Sequence, residues 1–154
     1  MKGLGEPLFE FPRDTCYNFL VPDIGTEGTP ISDGKETLYQ RLGGSDAIAT
    51  VSKDLVTRLQ NDPQLRRFWA HRGADGVERE LQLLIDYLCS CAGGPVYYRG
   101  RDMQLTHRGM RISESDWNVF LGHAAATLNK FEVPEAEQRD LVAFVQSLKK
   151  DIVE

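Results

Sequence analysis

Residues 93–110 of the chain read GGPVYYRGRDMQLTHRGM, and this stretch decides how the fold is interpreted. A helix with apolar periodicity runs into the stretch and is expected to end at the double glycine, because glycine readily adopts the backbone conformations that close a helix. The segment that follows Pro95 is irregular and carries His107 near its end. A histidine on a short irregular element between well-patterned helices is a candidate ligand for a group bound in the core.

The length, net charge and cysteine content of the chain restrict the kind of protein that it can be. It has 154 residues and a net charge of -5, which predict one domain with a substantial core and favour neither nucleic acid nor an anionic membrane as a partner. It contains no apolar run of the roughly 18 to 20 residues that a membrane span needs. No signal-peptide pattern occurs at its start, so we expect a cytoplasmic protein. Cys16, Cys89 and Cys91 have neither a CxxC nor a zinc-site spacing and are expected to be buried or inert thiols.

Residues 1–36 differ from the rest of the chain. Prolines and glycines recur there, and neither a helical nor a strand period persists, so we expect an extension with little regular structure. Its aromatic residues are available to contact the domain or a partner chain. From residue 37 onward the sequence predicts helices. A short one ends at Gly43-Gly44, and the next is expected to be capped by Ser45.

Apolar residues recur at helical spacing in four longer segments, which predict amphipathic helices. The main stripe residues are Ile48, Val51, Leu55 and Leu59; Val77, Leu81, Leu84 and Leu88; Trp117, Phe120, Ala124 and Leu128; and Leu141, Val145, Leu148 and Ile152. The second of these segments is expected to begin near Gly76. Ser113 and Asp116 form a capping box before the next segment, and Pro134 precedes the last. No alternation typical of strands occurs, so the sequence predicts an all-α fold of packed helices.

The chain has three histidines, of which His107 is the best candidate for binding chemistry. His71 lies in a polar loop and His123 lies within an apolar helix, where a surface or hydrogen-bonded structural role is expected. His107 follows Met103 by one helical turn and precedes Trp117. A lone imidazole cannot hold zinc, which takes about four ligands. It can hold haem iron, because the porphyrin supplies four ligands and the protein supplies one.

Several short motifs occur in a defined order and spacing. They are LYQRLGG at residues 38–44, Asn61-Asp62-Pro63, Gly93-Gly94-Pro95, the set Tyr98, Gly100, Met103, His107 and Gly109, and Val133-Pro134. Through these motifs residues 37–153 resemble the truncated haemoglobins, group I in particular. The resemblance implies a two-over-two helical sandwich around haem, with residues 37–154 as the globin domain. Residues 1–36 lie outside it.

The resemblance also implies a cofactor and a site. The cofactor is haem b, with His107 as the proximal ligand of its iron. The ligands are dioxygen, nitric oxide or carbon monoxide, and an unidentified reductase is a further candidate partner. The residues expected around the haem, besides His107, are Leu55, Val56, Phe68 with Trp69 as the alternative one position later, Glu80, Leu84, Leu88, Tyr98, Met103, Trp117 and Phe120.

The distal side of the expected pocket departs from the family pattern. Group I proteins usually carry a Phe-Tyr pair where this chain has Leu55-Val56, and often Gln where Leu84 stands, with Glu80 at the gate position one turn earlier. A donor stabilises the partial negative charge of bound dioxygen by roughly 1 to 3 kcal/mol. Without one we expect faster dioxygen loss and easier autoxidation. The residues that remain as replacement donors are Gln82, Glu80, His71 and Arg72, and His71 is also a candidate sixth ligand to the iron.

Several functions remain open on the sequence. The first is reversible binding of diatomic ligands by a haem protein. The second is a redox enzyme, such as a nitric oxide dioxygenase or a peroxidase-like protein, which needs polarised dioxygen or peroxide. The third is a gas or redox sensor that uses the N-terminal extension. A haem-free globin is a fourth. The sequence sets no oligomeric state.

Overall fold

The computed structural model describes residues 36–154, and every regular element in that range is a helix. The α-helices are α1 (Leu38–Arg41), α2 (Gly44–Asn61), α3 (Ala74–Cys91), α4 (Met103–His107), α5 (Glu114–Lys130) and α6 (Glu135–Ile152), with a 3-10 helix at Arg66–Trp69 between α2 and α3. The all-α class is confirmed for this range. The extension expected at residues 1–36 lies outside the described residues, apart from Glu36.

The observed helix starts can be compared with the capping residues predicted from the sequence. The capping box of Ser113 and Asp116 is confirmed at the start of α5, and Pro134 directly precedes α6. The cap predicted at Ser45 is wrong, because α2 already begins at Gly44 with Gly43 as its cap. Gly43 and Gly44 take φ angles of 96° and 79°, which lets α2 start almost directly after α1.

Helix α3 begins earlier than predicted. It starts at Ala74 rather than near Gly76, so the last residues of the loop expected at 71–76 are helical. Gly73 precedes it in an extended conformation, and the amide of Val77 donates to the Gly73 carbonyl at 3.1 Å. Asp75 lies in the first turn, where its carboxylate interacts favourably with the helix dipole.

The helices pack in two groups that meet at the end of α3. Helix α2 packs against α3 and α5, and α4 packs against α6. A buried core cluster joins α3 to α6 and contains Tyr87, Cys91, Phe144 and Leu148. Leu88, Tyr98 and Met103 pack against this cluster. The core therefore supports the connector that leads from α3 to α4 and carries His107 at its far end.

A buried carboxylate joins the 3-10 helix to α5. The side chain of Asp116 is 1% exposed and accepts hydrogen bonds from Gln64 Nε2 at 2.8 Å, Arg67 Nη2 at 2.7 Å and Ser113 Oγ at 2.8 Å. Burial alone would raise the pKa of this carboxyl, but the bonds from Arg67, Gln64 and Ser113 outweigh it and hold the pKa well below its usual range. Asp116 is therefore ionised in the folded chain across the physiological range.

Replacement of Asp116 by alanine is expected to cost about 2 to 4 kcal/mol of unfolding free energy at pH 7, because Arg67 and Gln64 lose their shared acceptor. Since the folded-state pKa is lowered, the contribution is present above the ordinary carboxyl pKa and is lost as pH falls towards the folded-state value. Urea unfolding should therefore show that the difference in unfolding free energy between the wild type and Asp116→Ala becomes smaller below about pH 4.

The exposed carboxylate of Glu78 on α3 provides the control, and Glu78→Gln should change stability by no more than about 0.5 kcal/mol. An Asp116→Ala protein as stable as Glu78→Gln at pH 7 would show that the buried carboxylate does not hold the 3-10 helix in place.

Candidate functional site

His107 is the last residue of α4, a one-turn helix that Asp102 caps by accepting a hydrogen bond from the Leu105 amide at 2.7 Å. The Nδ1 atom of His107 lies 2.8 Å from the Met103 carbonyl oxygen. Because a carbonyl can only accept, this contact assigns the proton to Nδ1 and leaves the lone pair on Nε2. Burial lowers the pKa of His107 although the Met103 bond opposes it, so the ring is neutral at pH 7. A neutral imidazole oriented through Nδ1 is the form that ligates a metal.

The other two histidines are placed differently. The Nε2 atom of His123 lies 2.8 Å from a carboxylate oxygen of Asp62, which joins α5 to the end of α2. This contact agrees with the structural role expected for His123. His71 is exposed in the turn after the 3-10 helix.

The connector between α3 and α4 is folded around Tyr98. Its ring lies edge-on to the Tyr87 ring with centroids 5.1 Å apart, and its hydroxyl donates to the Arg101 carbonyl at 2.8 Å. Burial raises the pKa of the Tyr98 phenol, so the hydroxyl stays protonated and remains a donor. The connector thus follows a fixed path into α4, although it has no regular secondary structure between Pro95 and Asp102.

Many of the apolar side chains that the sequence predicts on the core-facing sides of the helices are only partly buried in the structure. On α3, Leu84 and Leu88 are half-buried, whereas the buried residues of this helix are Tyr87, Cys89 and Cys91. The apolar residues from the predicted site that are half-buried in this way are Leu55, Val56, Phe68, Trp69, Leu84, Leu88, Tyr98, Met103 and Phe120. A domain of this size buries most of its helical stripes. This partial burial leaves apolar surface on α2, α3, α4 and α5 that the polypeptide core does not use.

Two pairs of aromatic rings lie among the residues of the predicted site. The rings of Phe68 and Trp69 on the 3-10 helix are edge-on with centroids 6.5 Å apart, and the guanidinium carbon of Arg67 lies 4.4 Å from the Phe68 centroid. Trp117 and Phe120 on α5 have centroids 5.3 Å apart. Because the contact between Arg67 and Asp116 joins the 3-10 helix to the start of α5, the two aromatic pairs belong to elements that are held together.

Trp117 also carries an unsatisfied donor. The residue is 3% exposed, and its indole Nε1 has no hydrogen-bond partner within residues 36–154. Buried indole N–H groups usually find an acceptor. The indole N–H of Trp117 is therefore available as a donor to a bound molecule.

The residues expected as replacement donors on the distal side are mostly committed to other contacts. Arg72 and Glu80 form an ion pair with each other, between the turn that follows the 3-10 helix and the early part of α3. The side-chain amide of Gln82 donates to Asp86 at 2.8 Å along the exposed side of α3. Of the four candidates, His71 alone has no such contact described. The pairing of Arg72 with Glu80 was not predicted.

Sequence reasoning also missed a carboxylate near His107. One oxygen of Glu154 accepts from the Gly109 amide at 2.9 Å, and the other accepts from the Arg111 amide at 2.5 Å. These residues are separated by more than forty positions. No local pattern or motif in the sequence signals such a contact, because the acceptor follows the end of α6 and both donors are backbone groups.

With this geometry in place, the chain can be compared with known proteins. A family model described as bacterial-like globin matches residues 37–154. The chain belongs to this family. The group 1 truncated haemoglobin of Tetrahymena pyriformis is 24% identical over 118 residues, which are 77% of this chain and 95% of that protein. The group 1 truncated haemoglobin GlbN of Nostoc commune is 32% identical over 87 residues, 56% of this chain and 71% of its own length.

Solved structures give the same result for the fold. The truncated haemoglobin of Tetrahymena pyriformis in its Fe(III) form superimposes with a TM-score of 0.70 at 23% identity and covers 77% of this chain and 98% of that one. The haemoglobin of Chloroflexus aurantiacus gives 0.67 at 23% identity and covers 78% of this chain and 100% of its own. The truncated globin fold and the group I resemblance of the motifs are thereby confirmed.

Membership of the globin family implies a haem, and the described residues of this globin fit one. His107 offers a single neutral imidazole, which is the protein donor that a porphyrin-bound iron needs. The half-buried apolar residues supply apolar surface for a flat macrocycle. The buried Nε1 of Trp117, which has no partner within residues 36–154, offers a hydrogen-bond donor to such a group.

The cysteines, possible metal-ion clusters and possible membrane spans of the described residues do not belong to this site. Cys89 is a buried free thiol whose pKa burial raises, as expected of an inert cysteine. Cys91 is also buried, but it is disulfide-bonded, so the thiol predicted at this position is wrong. No cluster of three or more His, Cys, Asp or Glu side chains suited to a metal ion occurs in residues 36–154. In the same range none of the helices has the length and apolar character to cross a membrane. The cytoplasmic location stays a prediction.

Substitution of Gly100 by alanine tests the path of the connector. A Cβ atom at this position would stand 2.0 Å from the Tyr98 hydroxyl oxygen and 2.2 Å from its Cζ, so the ring must leave its place beside Tyr87. We expect a loss of about 1 to 3 kcal/mol in unfolding free energy. Chemical denaturation followed by circular dichroism measures it.

Gly122 in α5 is the matched control, because a Cβ atom there meets nothing within 4 Å. Gly122→Ala should stabilise the globin by about 0.5 to 1 kcal/mol through helix propensity. Equal effects of the two substitutions would contradict the tight packing of Tyr98 over Gly100.

Proposed function

We propose that this globin reversibly binds dioxygen, nitric oxide or carbon monoxide on haem b, with His107 as the protein ligand of the iron. The observation that supports this most is the neutral imidazole of His107, oriented through its Nδ1 hydrogen bond to Met103 in a chain of the globin family. When bound, a haem with one protein ligand supplies an iron with one position left for a small molecule.

The protein residues would then act as follows. The Met103 carbonyl keeps the proton on Nδ1, so that Nε2 of His107 faces away from α4 with its lone pair available. The apolar side chains of α2 and α3 exclude water from the bound macrocycle, as family resemblance implies for Leu55, Val56, Leu84 and Leu88. Trp117 donates its indole N–H to a polar atom of the cofactor or of a trapped water.

The proposed distal side favours ligands of low polarity. By the family pattern Val56 and Leu84 face the ligand, and neither has a donor. Arg72 and Glu80 neutralise each other in an ion pair, which opposes the movement of either one into an apolar space. Bound dioxygen, which is partly negative, would therefore lose more stabilisation here than bound carbon monoxide or nitric oxide, which are less polar.

The alternatives have less support. A nitric oxide dioxygenase or a peroxidase-like enzyme must polarise dioxygen or peroxide and needs a reductant, and the apolar Val56 and Leu84 work against that polarisation. A sensor function depends on residues 1–36, which lie almost wholly outside the described residues. Reversible ligand binding therefore remains the function that these residues support best.

Visible spectra of the ferrous, ligand-free protein test the assignment of His107. The wild type should show a broad high-spin band, because His71 is exposed. His107→Gly should lose this spectrum, and added imidazole should restore it by taking the vacated place. Substitution of His71 by alanine serves as the control and should leave the spectrum unchanged.

Two spectral outcomes would count against the assignment. A His107→Gly protein with the wild-type spectrum would mean that another residue holds the iron. Sharp, split low-spin bands in the wild type that disappear in His71→Ala would show that His71 is a sixth ligand.

The substitution Val56→Tyr tests the distal side. A tyrosine hydroxyl at this position should stabilise bound dioxygen by roughly 1 to 3 kcal/mol and slow its dissociation by about 5- to 150-fold, with little change for carbon monoxide. Stopped-flow dissociation measures both rates. Val56→Phe has the same ring without the hydroxyl and should not slow dioxygen selectively. If Phe and Tyr act alike, the effect is one of size and Val56 does not mark a missing donor.

A further inference from the structure

The loop that follows His107 has an unusual backbone. Gly109 has a φ angle of 81°, and Arg111, which is not a glycine, has a φ angle of 55°. A side chain disfavours this left-handed conformation, so other contacts must hold Arg111 in it. The loop also ends α4, since the Arg108 amide donates to Gln104 and the next residues turn away from the helix.

Glu154 supplies those contacts. Its two carboxylate oxygens accept one hydrogen bond each from the amides of Gly109 and Arg111, at 2.9 and 2.5 Å, and its own amide donates to the Ile112 carbonyl at 2.9 Å. The bonds from Gly109 and then Arg111 lower the pKa of the Glu154 carboxyl. Hydrogen bonds to an ionised acceptor are stronger than those between neutral groups. Three bonds thus connect one residue to three positions of the loop.

This arrangement acts on the short helix that carries His107. Helix α4 has five residues, too few to hold its own conformation in isolation. The Asp102 cap fixes its first turn, and the packing of α4 on α6 supports one side. Its last residue is His107, and Gly109 follows two positions later. The conformation of the loop therefore limits how far the end of α4 can unwind or rotate.

We propose that Glu154 is a positioning residue for His107, which fixes the loop after α4 and through it the direction in which the imidazole presents Nε2. This inference rests on the proposed role of His107 as the ligand of the iron. Glu154 does not touch the imidazole itself. Its carboxylate sets the backbone of Gly109 and Arg111, while the Met103 carbonyl sets the ring from the helical side.

The test compares Glu154→Ala and Glu154→Gln with the wild type in the full chain loaded with haem. Resonance Raman spectroscopy of the ferrous, ligand-free protein should show a shifted or broadened iron–histidine stretching band in Glu154→Ala. Transfer of haem to an excess of an apoprotein acceptor should be about fivefold faster. Glu154→Gln, which keeps one acceptor oxygen, should lie between the wild type and Glu154→Ala in both measurements.

Glu135 in the first turn of α6 is the matched control, because it is an exposed carboxylate on the adjoining helix that contacts Arg139 and not the loop. Glu135→Ala should leave the Raman band and the haem transfer rate unchanged. An unchanged band and transfer rate in Glu154→Ala would overturn the positioning role. So would an equal change in Glu135→Ala, since a general loss of stability would then explain both.

A measurement without haem separates this inference from the proposed function. In the haem-free chain the Nδ1 proton of His107 should exchange slowly with solvent in the wild type and at least several-fold faster in Glu154→Ala, as read by NMR. If the wild type bound no haem but this difference were found, the proposed function would fail and the positioning of His107 would stand. If the wild type bound haem and neither the Raman band nor the exchange differed, the positioning would fail alone.

Discussion

The buried carboxylate of Asp116 is the contact on which the arrangement of the apolar surfaces depends. A buried charge is tolerated only when donors surround it, and this one takes them from Gln64 and Arg67 before α3 and from Ser113 at the start of α5. Phe68 directly follows Arg67 and Trp117 directly follows Asp116. The same contact that satisfies the charge therefore fixes the places from which two aromatic side chains extend.

The segment that carries His107 is held in place by weaker contacts. Its helix has a single turn, its ring is fixed by one carbonyl, and the loop behind it is held by an exposed carboxylate. Exposed contacts of this kind contribute less to stability than buried ones, because water competes for both partners. The globin thus combines an aromatic side that a buried charge network holds with a histidine side that depends on exposed contacts.

Sequence reasoning succeeded where the signal is local. The capping box at Ser113 and the proline at 134 each fix a helix start through neighbouring backbone groups. It failed at Ser45, because the conformational freedom of Gly43 and Gly44 allowed α2 to begin before the expected cap. The His107 motif could be recognised as a pattern. The Glu154 contact could not, because it joins distant positions through backbone amides that every residue possesses.

The pairing of Arg72 with Glu80 bears on how the proposed pocket treats polar ligands. Either side chain alone has the length and polarity to donate to, or exchange a proton with, a bound ligand. Together they satisfy each other at partly exposed positions, where water also solvates them. Moving one of them among apolar residues such as Val56 and Leu84 would leave its partner unpaired and cost its own desolvation. The ion pair therefore keeps charge out of the proposed ligand space, so ligand choice there would depend on size and intrinsic affinity for iron rather than on hydrogen bonding.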